Sequence, residues 1–263
     1  MRVSNDPKVS LRAKRSNLMI ASRNCFVASA PCSDVKNHQA IPSQTGVVIV
    51  GAGSSQRMGT DKVFVSLAGK PLLAWSVDVC QSCEPVSQIA IVLNESKLDL
   101  GRRLVAERGW SKVIEVCPGG DRRQDSVRQG LGKLKGCDWV IIHDGARPFL
   151  TLNLIRHGLA AAQSTGAAVA AVPVKDTIKI GNSDLMVRGT LNRQELWSVQ
   201  TPQVYRFDII TKAHEQITGD VTDDASMVEQ MGYQVKLYMG SYDNIKITTP
   251  EDLTLAEVIA RKK

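Results

Sequence analysis

The sequence predicts an α/β fold: a three-layer domain with a mostly parallel sheet and a protruding β-arm. Three observations carry this. Apolar runs of strand length alternate with amphipathic segments of helix length along most of the 263 residues, the rhythm of parallel strands joined by crossover helices. Glycine-rich turns follow several of the strand segments, where a parallel sheet gathers its ligand-binding loops. Between Lys175 and Gln203 the rhythm breaks into short β-type pieces, as expected of an excursion from the sheet.

Taken in order, Val47–Val50 is a continuous apolar run ending in Gly51-Ala52-Gly53, which reads as a buried strand entering a tight turn. Helix Pro71–Cys83, strand Ile89–Leu93, helix Lys97–Arg108, strand Lys112–Val116 and helix Ser126–Leu134 follow. Strand Trp139–His143, helix Asn153–Ser164 and strand Ala167–Val172 complete the regular part. The arm consists of "DTIKI" and "MVRGTLN" around the turn Gly181-Asn182-Ser183-Asp184. Helix Phe207–Ile217 comes next, then helix Asp223–Met231, with Thr222 or Asp223 suited to its N-cap, and strand Gln234–Met239. Pro250, Glu251 and Asp252 open a C-terminal helix.

Charge divides the chain. Residues 1–45 hold seven Lys and Arg against Asp6 and Asp34, so they carry most of the formal +7. This stretch lacks helical or strand periodicity and reads as a basic, disordered extension, leaving residues 46–263 as the folded domain. An Arg-rich, acid-poor leader could also be a plastid transit peptide, but the expectation is a cytoplasmic protein. The folded part carries little net charge, so no nucleic-acid partner is expected. No apolar run approaches the roughly 20 residues of a membrane span, so no membrane partner is expected either. The six cysteines show no paired metal-ligand spacing, and Cys80-Gln-Ser-Cys83 reads as helix residues, which fits reduced thiols.

The glycine loop has two chemical readings. A dinucleotide cradle requires G-x-G-x-x-G/A and an acidic residue about 20 positions on. Gln56 occupies the third glycine position, and Asp78 lies inside a helix pattern. A triphosphate loop requires small residues, so that backbone N–H groups approach phosphate, and nearby cations. Gly51, Gly53, Ser54 and Ser55 supply the first, and Arg57 and Lys62 the second. "PGGDRRQDSV" after the third strand repeats the combination, and "HDGARP" after the fourth adds Asp144, placed to organise Mg²⁺ or a sugar hydroxyl, and Arg147, placed for a phosphate.

The ordered set "GAGSSQRMG…DK", "GGDRRQDSV", "HDGARP", "VPVKDTIK", "LNRQELWSVQTPQ", "TDDAS" and "DNIKITTPEDL" closely resembles the 2-C-methyl-D-erythritol 4-phosphate cytidylyltransferase family over about residues 46 to 260. The resemblance implies a Rossmann-like nucleotidyltransferase domain whose arm serves dimerisation. It implies transfer of CMP from CTP to 2-C-methyl-D-erythritol 4-phosphate with release of pyrophosphate, in isoprenoid biosynthesis. Arg57 and Lys62 then become the catalytic cations, and Arg193 and Lys246 position the transition state and substrate. Ala52, Gly53, Ser54, Gly119, Gly120, Asp121 and Ser126 hold the nucleotide, and Asp144, Arg147, Thr177 and Thr201 the polyol phosphate. Mg²⁺ rests mainly on the CTP phosphates, with Asp144 and Asp243 as possible ligands. The arm of a homodimer carries Thr177 and Arg193 into the neighbouring site. Asp61 and Val63 stand where the family commonly has Pro and Gln, and Gly145 where it often has Ala. The competing expectations are a cytidylyltransferase for another polyol phosphate, such as ribitol 5-phosphate, and a nucleotide-binding module without catalysis.

Overall fold

A computed structural model of the chain describes residues 44–53 and 62–262. The expected basic extension, residues 1–45, therefore falls outside the described residues except for Gln44 and Thr45, and Thr45 already belongs to the first strand. In chain order the strands and helices are β1 (Thr45–Val50), β2 (Ser66–Leu67), β3 (Lys70–Pro71), α1 (Leu72–Ser82), β4 (Val86–Leu93), α2 (Leu98–Arg108), β5 (Val113–Pro118), α3 (Arg123–Leu131) and β6 (Trp139–Asp144). They continue with α4 (Leu152–Ala162), β7 (Ala167–Pro173), β8 (Lys179–Gly181), β9 (Val187–Thr190), β10 (Trp197–Arg206), α5 (Phe207–Gln216), α6 (Asp224–Gln230), β11 (Lys236–Met239) and α7 (Pro250–Ala260).

Seven strands form one sheet in the order β11-β7-β10-β6-β1-β4-β5. Every pairing is parallel except those of β10, which runs antiparallel to both β6 and β7. Alternation along β1 shows why three layers result. Val47 and Ile49 face a core with Leu73, Leu104 and Ile155 from α1, α2 and α4. Val48 faces the opposite core with Val127, Ile210 and Met227 from α3, α5 and α6. Successive strand residues point to opposite faces, so apolar residues at every position require helices on both sides. Gly130 lets α3 settle on this sheet, since a Cβ there would lie 2.4 Å from Val48 Cγ1. The chain's end joins a third cluster, where Ala256 and Ile259 of α7 pack with Leu67, Leu72 and Phe149.

The helix termini follow local chemistry. Asp223, one of the two expected caps, accepts from the Ser226 N–H at 3.0 Å to start α6. Thr249 and Asp252 form a reciprocal capping box around Pro250 at the start of α7. Cys80 and Cys83 lie in the core as free thiols, and burial pushes the Cys80 thiol far up. They are packing residues of α1 and its end.

One element differs from the expected arm. The segment that leaves the sheet is the β8–β9 hairpin and the short 3₁₀ turn Arg193–Glu195; Trp197–Arg206 returns as β10, the antiparallel strand between β7 and β6. Gln200, Thr201 and Gln203 conceal that strand in the sequence, because they are polar and yet buried. The folded chain satisfies them locally: Gln200 Nε2 donates to Ser241 O and Gln203 Nε2 to an Asp223 carboxylate oxygen, each at 2.9 Å. The outer arm instead carries solvent-exposed apolar residues, including Leu185, Met186 and Val187.

Candidate active site

The parallel strands β1, β4, β5 and β6 all end at one edge of the sheet, and short main-chain bonds hold their loops together there. Gly51 N–H donates to Val92 O at 2.7 Å, Gly119 N–H to Leu93 O at 2.9 Å and Gly145 N–H to Val50 O at 2.8 Å. These three amides are thus consumed in fixing the loops. Gly119 is required for their close approach: a Cβ at this position would lie 2.3 Å from Ala52 Cβ and 2.6 Å from Ser126 Oγ. Ser126 Oγ accepts from the Gly120 N–H at 3.1 Å and lies within reach of the Arg122 carbonyl at 3.3 Å. The Ser126 hydroxyl therefore clamps the second glycine loop from inside.

Among the described residues, two clefts open at this edge. The first, about 360 Å³, is lined by residues including Ala52, Gly53, Lys62, Gly120, Asp121 and Ser126. The second, about 650 Å³, is lined by residues including Arg147, Thr201, Gln203, Asp223 and Ser226. Arg123, Asp144 and Lys246 line both. They form the wall the two clefts share.

Asp144 is the centre of that wall. Its side chain is 8% exposed, and its Oδ2 lies 2.9 Å from Lys246 Nζ and 3.4 Å from Arg147 Nε, while Oδ1 accepts from Arg123 Nε at 3.2 Å. Burial alone would push this carboxyl up, but the Arg123, Lys246 and Arg147 charges hold it well below the usual carboxylate range. Arg147 is fixed in turn by donating Nη1–H to Asn244 O at 2.8 Å. Arg123 also reaches Asp224 Oδ2 at 2.5 Å, and the fully buried Asp224 meets His214 Nε2 at 3.1 Å. Burial would raise the Asp224 carboxyl too, and Arg123 and His214 bring it down.

Beneath Asp144 a buried relay fixes its backbone. Asp144 N–H donates to Thr201 Oγ1 at 3.0 Å, Thr201 Oγ1 lies 3.1 Å from His143 Nδ1, and His143 Nε2 lies 3.0 Å from Arg147 O. A carbonyl only accepts, so Nε2 carries the proton and the neutral ring accepts the Thr201 hydroxyl at Nδ1. Thr201 lines the second cleft, but its oxygen is committed to this relay.

The residues expected at the site thus divide. Ala52, Gly53, Lys62, Gly120, Asp121, Ser126, Asp144, Arg147, Thr201 and Lys246 line one or both clefts, with Gly119 pressed behind the first. Ser54 and Arg57 lie outside the described residues. Thr177 and Arg193 are exposed on the arm and line neither cleft of their own chain; Arg193 Nη1 donates to Lys175 O at 2.7 Å. Asp243 is exposed and also lines neither. Val63, at the position where Gln is common, is a buried core residue. Sequence reasoning missed Arg123, Asp224 and His214. The first two stand inside quoted motifs, but beside Arg122 and Asp223, and sequence does not say which neighbour turns inward. Arg122 turns outward to Asp125 and Asp220.

The buried His143 ring generates a pH-dependent stability. Burial outweighs the Arg147 carbonyl and the Asp144 charge and lowers its pKa to about 4, against about 6.5 in an unfolded chain. Folding favours the neutral ring, so this contribution is complete above the unfolded value and is lost as pH falls from about 6.5 towards 4. The gap corresponds to about 3 kcal/mol. Denaturant unfolding of the parent and of His143→Gln across this window is expected to show stability falling more steeply in the parent by that order. Parallel curves would exclude His143 as the titrating group.

The profile of the family described as 2-C-methyl-D-erythritol 4-phosphate cytidylyltransferase matches residues 45–262. A relative of that name from Dehalococcoides mccartyi is 51% identical over 220 residues, covering 83% of this chain and 97% of its own. Another, from Alkaliphilus oremlandii, is 42% identical over 228 residues, covering 84% of this chain and 97% of its own. Among solved structures, the 4-diphosphocytidyl-2C-methyl-D-erythritol synthase of Anaerococcus prevotii superposes with a TM-score of 0.75 at 28% identity, over 83% of this chain and 99% of that one. The Thermus thermophilus 2-C-methyl-D-erythritol 4-phosphate cytidylyltransferase gives 0.68 at 30% identity, over 83% and 99%. With its glycine loops and the Asp144 wall inside the matched span, the chain belongs to the 2-C-methyl-D-erythritol 4-phosphate cytidylyltransferase family.

Proposed function

We propose that the chain transfers CMP from CTP to 2-C-methyl-D-erythritol 4-phosphate, giving 4-diphosphocytidyl-2-C-methyl-D-erythritol and pyrophosphate, in the cytoplasm. The observation that carries this reading is the wall of Arg123, Asp144 and Lys246 between two adjacent clefts. CTP occupies the cleft of the glycine loops, where backbone groups of Ala52, Gly53 and Ser54, with Gly120 and Asp121, approach the nucleotide. The polyol phosphate occupies the second cleft beside Arg147 and Lys246. A phosphate oxygen of the polyol attacks the α-phosphorus of CTP, the bond from that phosphorus to the β-phosphate bridge breaks, and pyrophosphate leaves with the bonding pair. The chain needs no nucleophile of its own for this. It positions two polyanions and neutralises the charge that grows on the transferring phosphate, the work assigned to Arg57, Lys62 and Lys246.

The residues fit a metal that arrives with the nucleotide. Both Asp144 oxygens already face cations, and no group of three or more His, Cys, Asp or Glu able to hold a metal occurs among the described residues. A Mg²⁺ ion would then be held mainly by the triphosphate, with Asp144 as the carboxylate that lines both clefts; Asp243 lines neither. When bound, Mg²⁺ neutralises phosphate charge.

A homodimer accounts for the arm. Its exposed Leu185, Met186 and Val187 are the kind of apolar surface a partner covers, and Thr177 and Arg193 then complete the partner's polyol phosphate site.

Two measurements test the reading. Pyrophosphate release from CTP is expected to show a higher kcat/KM with 2-C-methyl-D-erythritol 4-phosphate than with ribitol 5-phosphate; the reverse order would assign the chain to a different polyol phosphate. For the arm, Lys62→Ala and Arg193→Ala homodimers are each expected to lose about a hundredfold in turnover, the scale of one electrostatic stabiliser. Mixing the two is expected to restore part of the activity, because one site of each mixed dimer is intact. Confirmed mixed dimers without recovery would place Arg193 in its own chain's site.

A further inference from the structure

Besides the Asp144 wall, a second link joins the two clefts, and it runs through the start of α3. Gly120, Asp121, Arg122 and Arg123 line the first cleft, whereas Gln124, the next residue, lines neither. Gln124 is 4% exposed and reaches the loop that joins α5 to α6. Its Nε2 donates to Gly219 O at 2.9 Å, and its Oε1 accepts from the Val221 N–H at 3.2 Å. One side-chain amide thus satisfies a carbonyl and an N–H two residues apart, which requires a group that both donates and accepts. Beside it, Arg122 Nη1 donates to Thr218 O at 3.1 Å and to Asp220 Oδ1 at 2.8 Å. Residues 218–221 are therefore tied to the start of α3 at each position.

Packing does little to fix this loop. None of residues 217–223 is buried, and Ile217 and Val221 only border the core. A surface segment with so few buried contacts depends on its hydrogen bonds for a defined position. The residues that follow it nevertheless line the second cleft: Thr222, Asp223, Ala225 and Ser226. Asp223 has partners of its own, accepting from the Ser226 N–H and from Gln203 Nε2. Thr222 is exposed and stands between Asp223 and the tied Val221, so its place at the cleft follows from the Gln124 amide on one side and the α6 cap on the other.

We infer that Gln124 is a positioning residue for the polyol phosphate: through Gly219 and Val221 it holds the Thr222 side of the second cleft, and, following directly on the glycine loop, it passes the fixing of that loop by nucleotide on to the second cleft. This role rests on the reading of the first cleft as the CTP site and the second as the polyol phosphate site. Hydrogen bonds between packed elements are a physical route for such coupling. Linkage makes it reciprocal, so polyol phosphate tightens nucleotide by the factor by which nucleotide tightens polyol phosphate.

The test compares the full chain with Gln124→Met, which keeps the length of the side chain and loses both bonds. The KM for 2-C-methyl-D-erythritol 4-phosphate is expected to rise at least about tenfold, the scale of two lost hydrogen bonds. The KM for CTP, and kcat with both substrates saturating, are expected to stay within about threefold. A merely structural role would lower kcat with the folded fraction at unchanged KM, or raise both KM values alike, and either result overturns the assignment. A measurement on the parent decides the coupling even if Gln124→Met does not fold. Hydrogen exchange at the Val221 amide, followed by NMR, is expected to slow by about threefold or more when a CTP analogue with a methylene group between the α- and β-phosphorus saturates the chain. Unchanged exchange overturns the coupling. A parent that releases no pyrophosphate from CTP and 2-C-methyl-D-erythritol 4-phosphate contradicts the reaction reading instead, and is seen before any variant is made.

Discussion

The Asp144 carboxylate and the three cations around it are the interaction on which the rest of the site depends. A carboxylate this buried is tolerated because Arg123, Arg147 and Lys246 stabilise its charge. The reverse dependence matters as much. Three cations gathered from a helix start, a loop and the segment before α7 would repel one another, and Asp144 gives them a common anchor. Asp224 takes a second share of Arg123. The cluster still holds more Arg and Lys than Asp, and two polyanionic substrates are the chemistry that suits that surplus.

The fold makes this arrangement through one irregularity in an otherwise parallel sheet. β10 enters antiparallel between β6 and β7, and its register shifts between Val199 and Gln203. There Thr201 binds the Asp144 amide, and the Thr201 carbonyl accepts from Asn244 Nδ2 at 2.7 Å. Asn244 then receives Arg147 on its own carbonyl. The antiparallel strand thereby ties the end of β6 to the loop that carries Lys246. The arm leaves the sheet after β7, and the chain re-enters it as β10, the strand that fixes Asp144.

Much of this was legible in the sequence where a residue's task is local. The apolar runs of β1, β4, β6 and β7 announce a doubly covered sheet, and the glycines after β1 and β5 announce loops at its edge. Asp144 and Arg147 follow from their place after a strand. What was not legible depends on partners distant in the chain. Gln200, Thr201 and Gln203 read as arm or loop because polarity conceals a buried strand whose hydrogen bonds come from Ser241, Asp144 and Asp223. Arg122 and Arg123 are indistinguishable in sequence, and only the fold sends one to Asp220 and the other to Asp144 and Asp224. Thr177 and Arg193 entered through family likeness alone, and they line neither of the two clefts of their own chain.

Asp144→Asn tests the central claim most directly, because it removes the charge and keeps the shape. With the anchor gone, the cations remain present but no longer share one position. Turnover at saturating CTP and 2-C-methyl-D-erythritol 4-phosphate is expected to fall by about a hundredfold, the scale of mispositioning near the reacting groups, in a chain that keeps its circular dichroism spectrum. Turnover within about threefold of the parent, a difference too small for a positioning role, would contradict it.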